Sequence, residues 1–145
     1  MRTGVQEFSQ DIGSENYRRV REACSEEVIR EYSRYDKVIE ALSKRRFVRL
    51  ILKNSDVPRE YWIFLGKDRD YILIPCMYCS CPDFTINVLS RRSKNFCYHL
   101  VALEIARRSS AYRELQVGAQ EFKKIVLEVL IDGMSLTIRK LLYRI

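Results

Sequence analysis

Apolar residues in the first third of the chain recur at three- and four-residue steps, the spacing that places side chains on one face of a helix. This stripe consists of Tyr17, Val20, Cys24, Val28 and Tyr32. Residues 1–13 show no such period and are rich in small and polar types, which predicts a flexible tail. Ser14 and Asp36 are predicted helix caps, so residues 14–45 form either one long helix or two helices with a break near Ser33.

The period changes at Arg46, where short runs of β-branched and aromatic residues alternate with turn-forming residues. Three such runs, at residues 47–52, 61–65 and 71–74, predict an antiparallel β-meander. Pro75 has no N–H to donate to a neighbouring strand, so it predicts the end of the third strand.

Helical periodicity returns after the strands, first from about Phe96 to Arg108 and then near the C-terminus. The C-terminal stripe consists of Phe122, Ile125, Val126, Val129 and Leu130. Gly133 predicts the end of that helix, and Ser135 predicts the cap of a last one. We therefore expect one domain over residues 14–145, with helices over 14–45, strands and a further module over 46–108, and helices over 109–145.

The chain carries a net charge of +7, and most of the excess lies in its middle third. Residues 46–108 contain eleven Lys and Arg against six Asp and Glu, which accounts for five of the seven excess charges. A basic surface there would attract a polyanion, either a nucleic acid or an acidic protein.

The longest uncharged apolar stretch, Tyr71 to Cys81, is shorter than the roughly 18 residues that a membrane span needs. The first four residues are followed by no apolar run of the kind found in a signal peptide. These features predict no membrane association and an intracellular protein, which is cytoplasmic or associated with the nucleoid, or nuclear in a eukaryote. In that compartment thiols stay reduced, so the five cysteines favour metal binding over disulfides.

Two pairs of potential ligands are present, Cys79 with Cys81 and Cys97 with His99, the one histidine in the chain. Zinc is bound by four sulfur or nitrogen atoms in a tetrahedron. In an extended chain residues i and i+2 point to the same face, so the first pair can hold one ion where the third strand ends.

The second pair cannot lie inside a regular helix, where residues i and i+2 point in nearly opposite directions. It is therefore predicted at the entrance of the helix that begins near Phe96, with Asn95 or Ser93 as the N-cap. The free N–H groups at a helix start also favour the thiolate form that zinc requires.

All four positions around this zinc are then filled by protein, which predicts one structural ion and not a catalytic one. Cys76 also has ligand spacing to Cys79 and is an alternative to Cys81. We favour Cys81, because Cys76 and Cys79 would point to opposite faces of a continuing strand. Cys76 and Cys24 are predicted to be core thiols.

The C-x-C and C-x-H pairs, with Ala102 three residues after the histidine, resemble the SWIM zinc finger. The surrounding residues 76–84 are similar to the SWIM subunit of the Shu recombination-accessory complex and its archaeal relatives. The expected architecture is therefore α+β, with an N-terminal helix or helices, a three-stranded antiparallel β-meander, a zinc-stapled ββα SWIM module and two C-terminal helices.

The resemblance implies an adaptor in DNA recombination and repair that joins a RecA-like recombinase paralogue, associates with DNA and supports recombinase filaments. It also assigns the zinc-binding role to Cys79, Cys81, Cys97 and His99. Such a protein would bind single-stranded or junction DNA without regard to sequence.

Five basic residues are the candidates for DNA contact: Arg91, Arg92, Lys94, Arg107 and Arg108. The first three lie on the loop between the two ligand pairs, and the last two lie where the helix ends. A solvated basic loop, or cations favoured at a helix end, is the alternative explanation.

Two other functions remain open at this stage. The apolar stripes of the terminal helices favour a protein interaction module without direct DNA binding, whose partner is another protein or a second copy. A thiol redox protein using Cys76 and Cys79 is the alternative from another class, although no βαβ pattern surrounds that pair. We expect no enzymatic activity.

Overall fold

A five-stranded mixed sheet lies at the centre of the computed structural model, which describes residues 15–54 and 60–143. The strands occur in the order β4-β3-β2-β1-β5. They are β1 (Phe47–Leu52), β2 (Tyr61–Phe64), β3 (Tyr71–Ile74), β4 (Tyr78–Cys79) and β5 (Arg113–Val117). Strands β1, β2 and β3 pair antiparallel, which confirms the predicted meander.

The register of the strands sorts their side chains onto two apolar faces. Phe47 pairs with Phe64 and Val48 pairs with Ile63, so each pair places both residues on the same side of the sheet. Phe47 and Phe64 belong to one buried cluster, whereas Val48 and Ile63 belong to the other. The sheet therefore needs a cover on each face.

Residues 15–54 and 60–143 contain six helices and two π-helical segments, most of which provide that cover. The helices are α1 (residues 15–23), α2 (Glu26–Tyr32), α3 (Asp36–Ser43), α4 (Tyr98–Ser109), α5 (Ala119–Leu127) and α6 (Leu136–Leu142). The π-helical segments are π1 (Phe84–Ser90) and π2 (Glu128–Asp132). The first face is covered by α1, α3, π1 and α4, and the second by α5, π2 and α6. Within residues 15–54 and 60–143, no helix is both long enough and apolar enough to span a bilayer.

The N-terminal part contains three helices where one or two were predicted. The expected break near Ser33 is present, but a second break occurs where Ser25 caps α2 by accepting a hydrogen bond from the N–H of Val28. This break shifts the helical phase, so Ile29 is buried in place of Val28. Tyr35, and not Asp36, occupies the N-cap of α3. The predicted tail 1–13 and the predicted cap Ser14 lie outside the described residues.

Strand β5 was not predicted, because residues 109–145 were expected to be helical. It runs parallel to β1 and pairs Leu50 with Leu115. The N–H of Lys53 also donates to the carbonyl of Val117 at 2.9 Å. Because β5 alternates polar and apolar residues at a sheet edge, its five residues carry only two apolar side chains, a weak signal in the sequence.

The C-terminal helices confirm the predicted end at Gly133 and the predicted cap at Ser135. Gly133 has a φ of 83°, a left-handed conformation that favours glycine, and Ser135 accepts from the N–H of Ile138. Leu130, the last residue of the predicted apolar stripe, is 55% exposed. The wider turn of π2 changes the angular spacing, so Leu130 leaves the buried stripe after Val129.

A buried carboxylate joins the turn between β2 and β3 to α6. The side chain of Asp70 is fully buried and accepts hydrogen bonds from Arg139 at 2.6 and 2.8 Å. It also accepts from the N–H groups of Ser135 and Gly66. These contacts satisfy a charge that would otherwise be costly to bury.

Replacing Arg139 by Ala should lower the free energy of unfolding by about 3 kcal/mol, because it leaves the Asp70 carboxylate buried and unpaired. Urea denaturation provides the measurement. Lys140→Ala, an exposed change on the same helix, should stay within about 0.5 kcal/mol of the parent protein. Equal losses in the two variants would contradict this account.

Candidate metal centre

A tight hairpin supplies the first ligand pair. After β3 the chain turns through Cys76, which has a φ of 52°, and returns as β4, where Cys79 pairs with Leu73. The first pair was expected where the third strand ends, but Cys79 lies on this fourth strand. Ser80 fixes the exit from β4, since its N–H donates to the carbonyl of Ile72 and its hydroxyl accepts from the N–H of Ile72. Cys81 follows directly.

The start of α4 supplies the second pair, at the helix entrance as predicted. Cys97 is the N-cap residue and has an extended backbone, and His99 lies in the first turn. The predicted caps Asn95 and Ser93 are wrong, and the helix begins at Tyr98, two residues after the predicted start near Phe96. Ala102, one turn further along, is fully buried.

The structure brings the four predicted zinc ligands together. One ligand atom from each of Cys79, Cys81, Cys97 and His99 lies within 4.8 Å of the others, and all four residues are buried. Tetrahedral zinc with sulfur at 2.3 Å places its ligand atoms about 3.8 Å apart. The separations in the cluster, none of them above 4.8 Å, are therefore compatible with a tetrahedral zinc ion.

Hydrogen bonding within the cluster also fits a metal site. Hydrogen bonds from Cys79 and Cys97 hold the pKa of the Cys81 thiol far below its usual value, and the backbone N–H of Phe84 donates to the same sulfur at 3.3 Å. Burial, together with hydrogen bonds to Cys81 and Cys97, raises the pKa of Cys79. The thiols thus converge on a common point, where a zinc ion would replace their protons.

The imidazole of His99 is held by aromatic rings. Its centroid lies 4.7 Å from that of Phe64, 5.0 Å from that of Tyr71 and 4.0 Å from that of Tyr98. Its Nδ1 atom is buried without a hydrogen-bond partner among residues 15–54 and 60–143. A buried nitrogen in that state is available to a metal. Sequence analysis missed these ring contacts, because the strands that carry Phe64 and Tyr71 are far from His99 along the chain.

The connection between the two ligand pairs is partly helical. It contains π1, whose residues Phe84 and Val88 are buried in the same cluster as the metal ligands. Arg19 of α1 donates to the carbonyl of Val88 at 2.7 Å, which anchors π1 against the N-terminal helices.

The basic candidates fall into two separate groups. Arg91, Arg92 and Lys94 are exposed between π1 and α4. Arg107 and Arg108 lie at the opposite end of α4, a twelve-residue helix about 18 Å long. The structure therefore does not bring all five residues together.

Four of these five residues form ion pairs. Arg92 pairs with Glu15 at 3.3 Å, and Lys94 pairs with Asp83 at 3.1 Å. Arg107 pairs with both Glu104 and Glu60, at 2.6 and 2.9 Å, and Arg108 pairs with Glu26 at 2.6 Å. Arg107 is the most strongly engaged, because it contacts two carboxylates.

Cys76 lies outside the group of four ligands and contacts Cys24 instead. A hydrogen bond between the two thiols raises the pKa of Cys76 and lowers that of Cys24. Both residues are half-buried. Since Cys79 belongs to the metal cluster, the geometry favours Cys81 as the fourth ligand.

Two donors at the end of a β-ribbon and two at the start of a helix define a zinc-finger module with a structural metal site. Residues 61–108 match the family model described as the SWIM zinc finger. The chain therefore carries a SWIM zinc-finger region, which extends from β2 almost to the end of α4.

Three relatives share about half of their length with this chain. A protein of Archaeoglobus fulgidus, described as an uncharacterized protein, is 33% identical over 63 residues, which are 42% of this chain and 51% of that protein. Zinc finger SWIM domain-containing protein 7 of Homo sapiens is 30% identical over 70 residues, 48% of this chain and 50% of that protein. The Mus musculus protein of the same name is 28% identical over 71 residues, which are 48% of this chain and 47% of that protein. No solved structure matches the chain.

Purified protein should contain one zinc ion per chain, and either His99→Ala or Cys81→Ser should lose the ion and unfold. A structural zinc contributes roughly 10 kcal/mol, which is comparable to the total stability of a domain of this size. Elemental analysis and circular dichroism measure the two effects.

Cys76→Ser is the matched control, because Cys76 is a nearby cysteine outside the four-residue group. It should keep both the zinc and the fold. A soluble, fully folded His99→Ala variant would count against a structural site.

Proposed function

We propose that this protein is a non-catalytic adaptor in DNA recombination and repair, which binds DNA and a RecA-like recombinase paralogue and supports recombinase filaments. The observation that carries the proposal is the buried Cys79, Cys81, Cys97 and His99 cluster with an exposed basic loop between its two halves. The similarity of the C-x-C and C-x-H segment to the Shu-complex SWIM subunit supports the choice of process and partner.

The donor set supports a structural role for the metal. When bound, zinc would cross-link the β3–β4 hairpin to the start of α4. The four residues themselves would supply every ligand of a tetrahedral ion, so no position would be left for substrate or an activated water. We therefore propose a binding protein and not an enzyme.

The loop of Arg91, Arg92 and Lys94 is the proposed DNA contact. Arg91 is exposed, and the ion pairs of Arg92 and Lys94 are partly solvated. Such exposed pairs contribute little to stability, so DNA phosphates can replace their carboxylates at small cost. Arg108 is a secondary candidate, whereas Arg107 would have to leave two carboxylates.

Phosphate contacts of this kind are independent of sequence, which suits binding to single-stranded or junction DNA anywhere in a genome. We place the protein accordingly with the DNA, in the nucleoid or cytoplasm of a prokaryote or in the nucleus of a eukaryote.

The recombinase paralogue is proposed to bind the opposite side of the sheet. Four apolar side chains on α5, π2 and α6 are between 46% and 76% exposed: Leu127, Leu130, Ile131 and Leu136. Clusters of exposed apolar residues mark protein interaction sites. This surface also supports the second candidate function, a protein interaction module without direct DNA contact, or one that pairs with a second copy.

Replacing Arg91, Arg92 and Lys94 together by Ala should weaken binding to a single-stranded oligonucleotide. The slope of log affinity against log salt should become less steep by about 2, since each phosphate contact contributes roughly 0.7. Fluorescence anisotropy at several salt concentrations measures both quantities.

A matched triple variant, Lys123→Ala, Lys124→Ala and Lys140→Ala, removes the same charge from α5 and α6. It should retain the parent slope. If both triple variants lose affinity equally, the contact depends on net charge and not on the loop.

The double variant Leu130→Glu and Ile131→Glu should fold normally but no longer recover a RecA-like paralogue from native cell extract, because two carboxylates would be buried in the interface. Affinity purification with mass spectrometry provides the test. Ile39→Glu, at an exposed position on α3, should leave recovery unchanged. If the double variant recovers the paralogue as well as the parent protein does, the partner binds at another surface.

A further inference from the structure

A cleft of about 710 Å³ opens beside the metal ligands, between the α2–α3 corner and the start of α4. Five aromatic residues line it: Tyr32, Tyr35, Tyr71, Phe96 and Tyr98. They come from three parts of the chain, so the cleft depends on the tertiary fold. Its volume is within the range of small-ligand sites.

Three of these aromatic rings contact one another. The centroid of Tyr32 lies 4.5 Å from that of Tyr35 and 5.0 Å from that of Phe96, which it meets edge-on. Tyr35 remains 46% exposed, although aromatic side chains usually bury most of their surface. The exposed part of this ring is available for stacking.

Two exposed lysines also line the cleft. The ammonium group of Lys37 lies 5.5 Å from the ring centroid of Tyr98. Lys94 forms an ion pair with Asp83, which also lines the cleft. Aromatic walls can hold a quaternary ammonium ligand, but these positive charges oppose a cation. Asp83 offsets the charge of Lys94, so the excess positive charge is that of Lys37, which has no ion pair among residues 15–54 and 60–143. A phosphate could pair with Lys37 and replace the exposed carboxylate of Asp83 at Lys94.

The zinc ligands further restrict how such a ligand could lie. Cys81 and His99 contribute to the lining, and three thiolates with one zinc ion carry a net charge of minus one. A phosphate is therefore favoured near Lys37 and Lys94, while the uncharged part of the ligand faces the rings. A nucleotide within a strand has this distribution, with a neutral aromatic base and a charged backbone.

We infer that this aromatic cleft binds an unpaired base of a single-stranded nucleic acid, whose flanking phosphates lie at Lys37 and Lys94. The inference rests on the proposed DNA-binding function and identifies the site within it. Bases stack on aromatic side chains without regard to sequence, whereas a base inside a duplex is paired and cannot enter. Lys94 belongs to the proposed phosphate-binding loop, so the cleft and the loop would lie along the same strand.

The test measures the affinity of the full chain for labelled oligo(dT), oligo(rU) and a DNA duplex. Tyr35→Ala should weaken binding to oligo(dT) roughly tenfold, since one stacked base contributes about 1–3 kcal/mol. Tyr35→Phe keeps the ring and should stay within about twofold of the parent protein. Tyr143→Ala, at an exposed tyrosine on the other side of the sheet, is the matched control and should leave affinity unchanged. Each variant must retain one zinc ion per chain.

Lys37→Gln should reduce the salt slope by about 0.7, the contribution of one phosphate on a single strand, and Lys123→Gln should not. Photocross-linking with an oligonucleotide that contains 5-iodouracil should label the peptide carrying Tyr32 and Tyr35 or the one carrying Phe96 and Tyr98. Cross-links confined to other peptides would overturn the site.

The possible results distinguish failure of the cleft as a binding site from failure of the proposed DNA-binding function. If Tyr35→Ala affects binding to neither oligo(dT) nor oligo(rU), or if a duplex binds as tightly as a single strand, the cleft is overturned and DNA binding through the loop is left intact. A parent protein that binds none of the three nucleic acids overturns both. Losses in Tyr35→Ala on oligo(dT) or on oligo(rU) support the cleft, and the larger of the two parent affinities identifies the strand.

Discussion

Convergence of three thiols and one imidazole on a single point is the constraint on which the rest of the structure depends. Strand β4 has only two residues, so its own backbone hydrogen bonds give it little stability. Its position is fixed because Cys79 and Cys81 meet Cys97 and His99 at the start of α4. A metal that binds all four residues would therefore hold the sheet edge, the intervening π1 segment and the central helix in one arrangement.

The central sheet separates two sets of contacts. The metal ligands, the basic loop and the aromatic cleft lie with the N-terminal helices and α4, whereas α5, π2 and α6 cover the other face. Asp70 connects the two halves, because it follows the β2–β3 turn and bonds to Arg139 of α6. This arrangement would allow the proposed nucleic acid and the proposed protein partner to bind at the same time without competing for surface.

Local patterns predicted the features that depend on neighbouring residues. The spacing of Cys79 to Cys81 and of Cys97 to His99 placed one pair on extended chain and the other at a helix entrance. Short runs of β-branched and aromatic residues predicted strands β1 to β3, and the left-handed Gly133 and the cap Ser135 were recognisable from residue type. In each case the feature is determined by the conformational preferences of residues that are close together in the chain.

The features that sequence analysis missed depend on contacts between distant residues. Strand β5 is stabilised by its pairing with β1, more than fifty residues earlier, and not by its own weak pattern. Arg107 could not be distinguished from a free basic residue, because its partner Glu60 is 47 positions away. The contact between Cys24 and Cys76, which removes Cys76 from the zinc site, likewise requires the hairpin to fold against α1.

The position of the aromatic cleft would link metal binding to the proposed nucleic-acid binding. Phe96 and Tyr98 flank the ligand Cys97, and Tyr71 contacts the ring of His99. The metal cluster therefore positions three of the five aromatic residues that line the cleft. Tyr32 and Tyr35 are instead positioned by the break between α2 and α3, and Tyr32 contacts Phe96. Loss of zinc, which is expected to unfold the chain, would separate these two halves of the cleft. The affinity for a single strand should therefore follow the zinc content of the protein, although zinc itself would contact neither base nor phosphate.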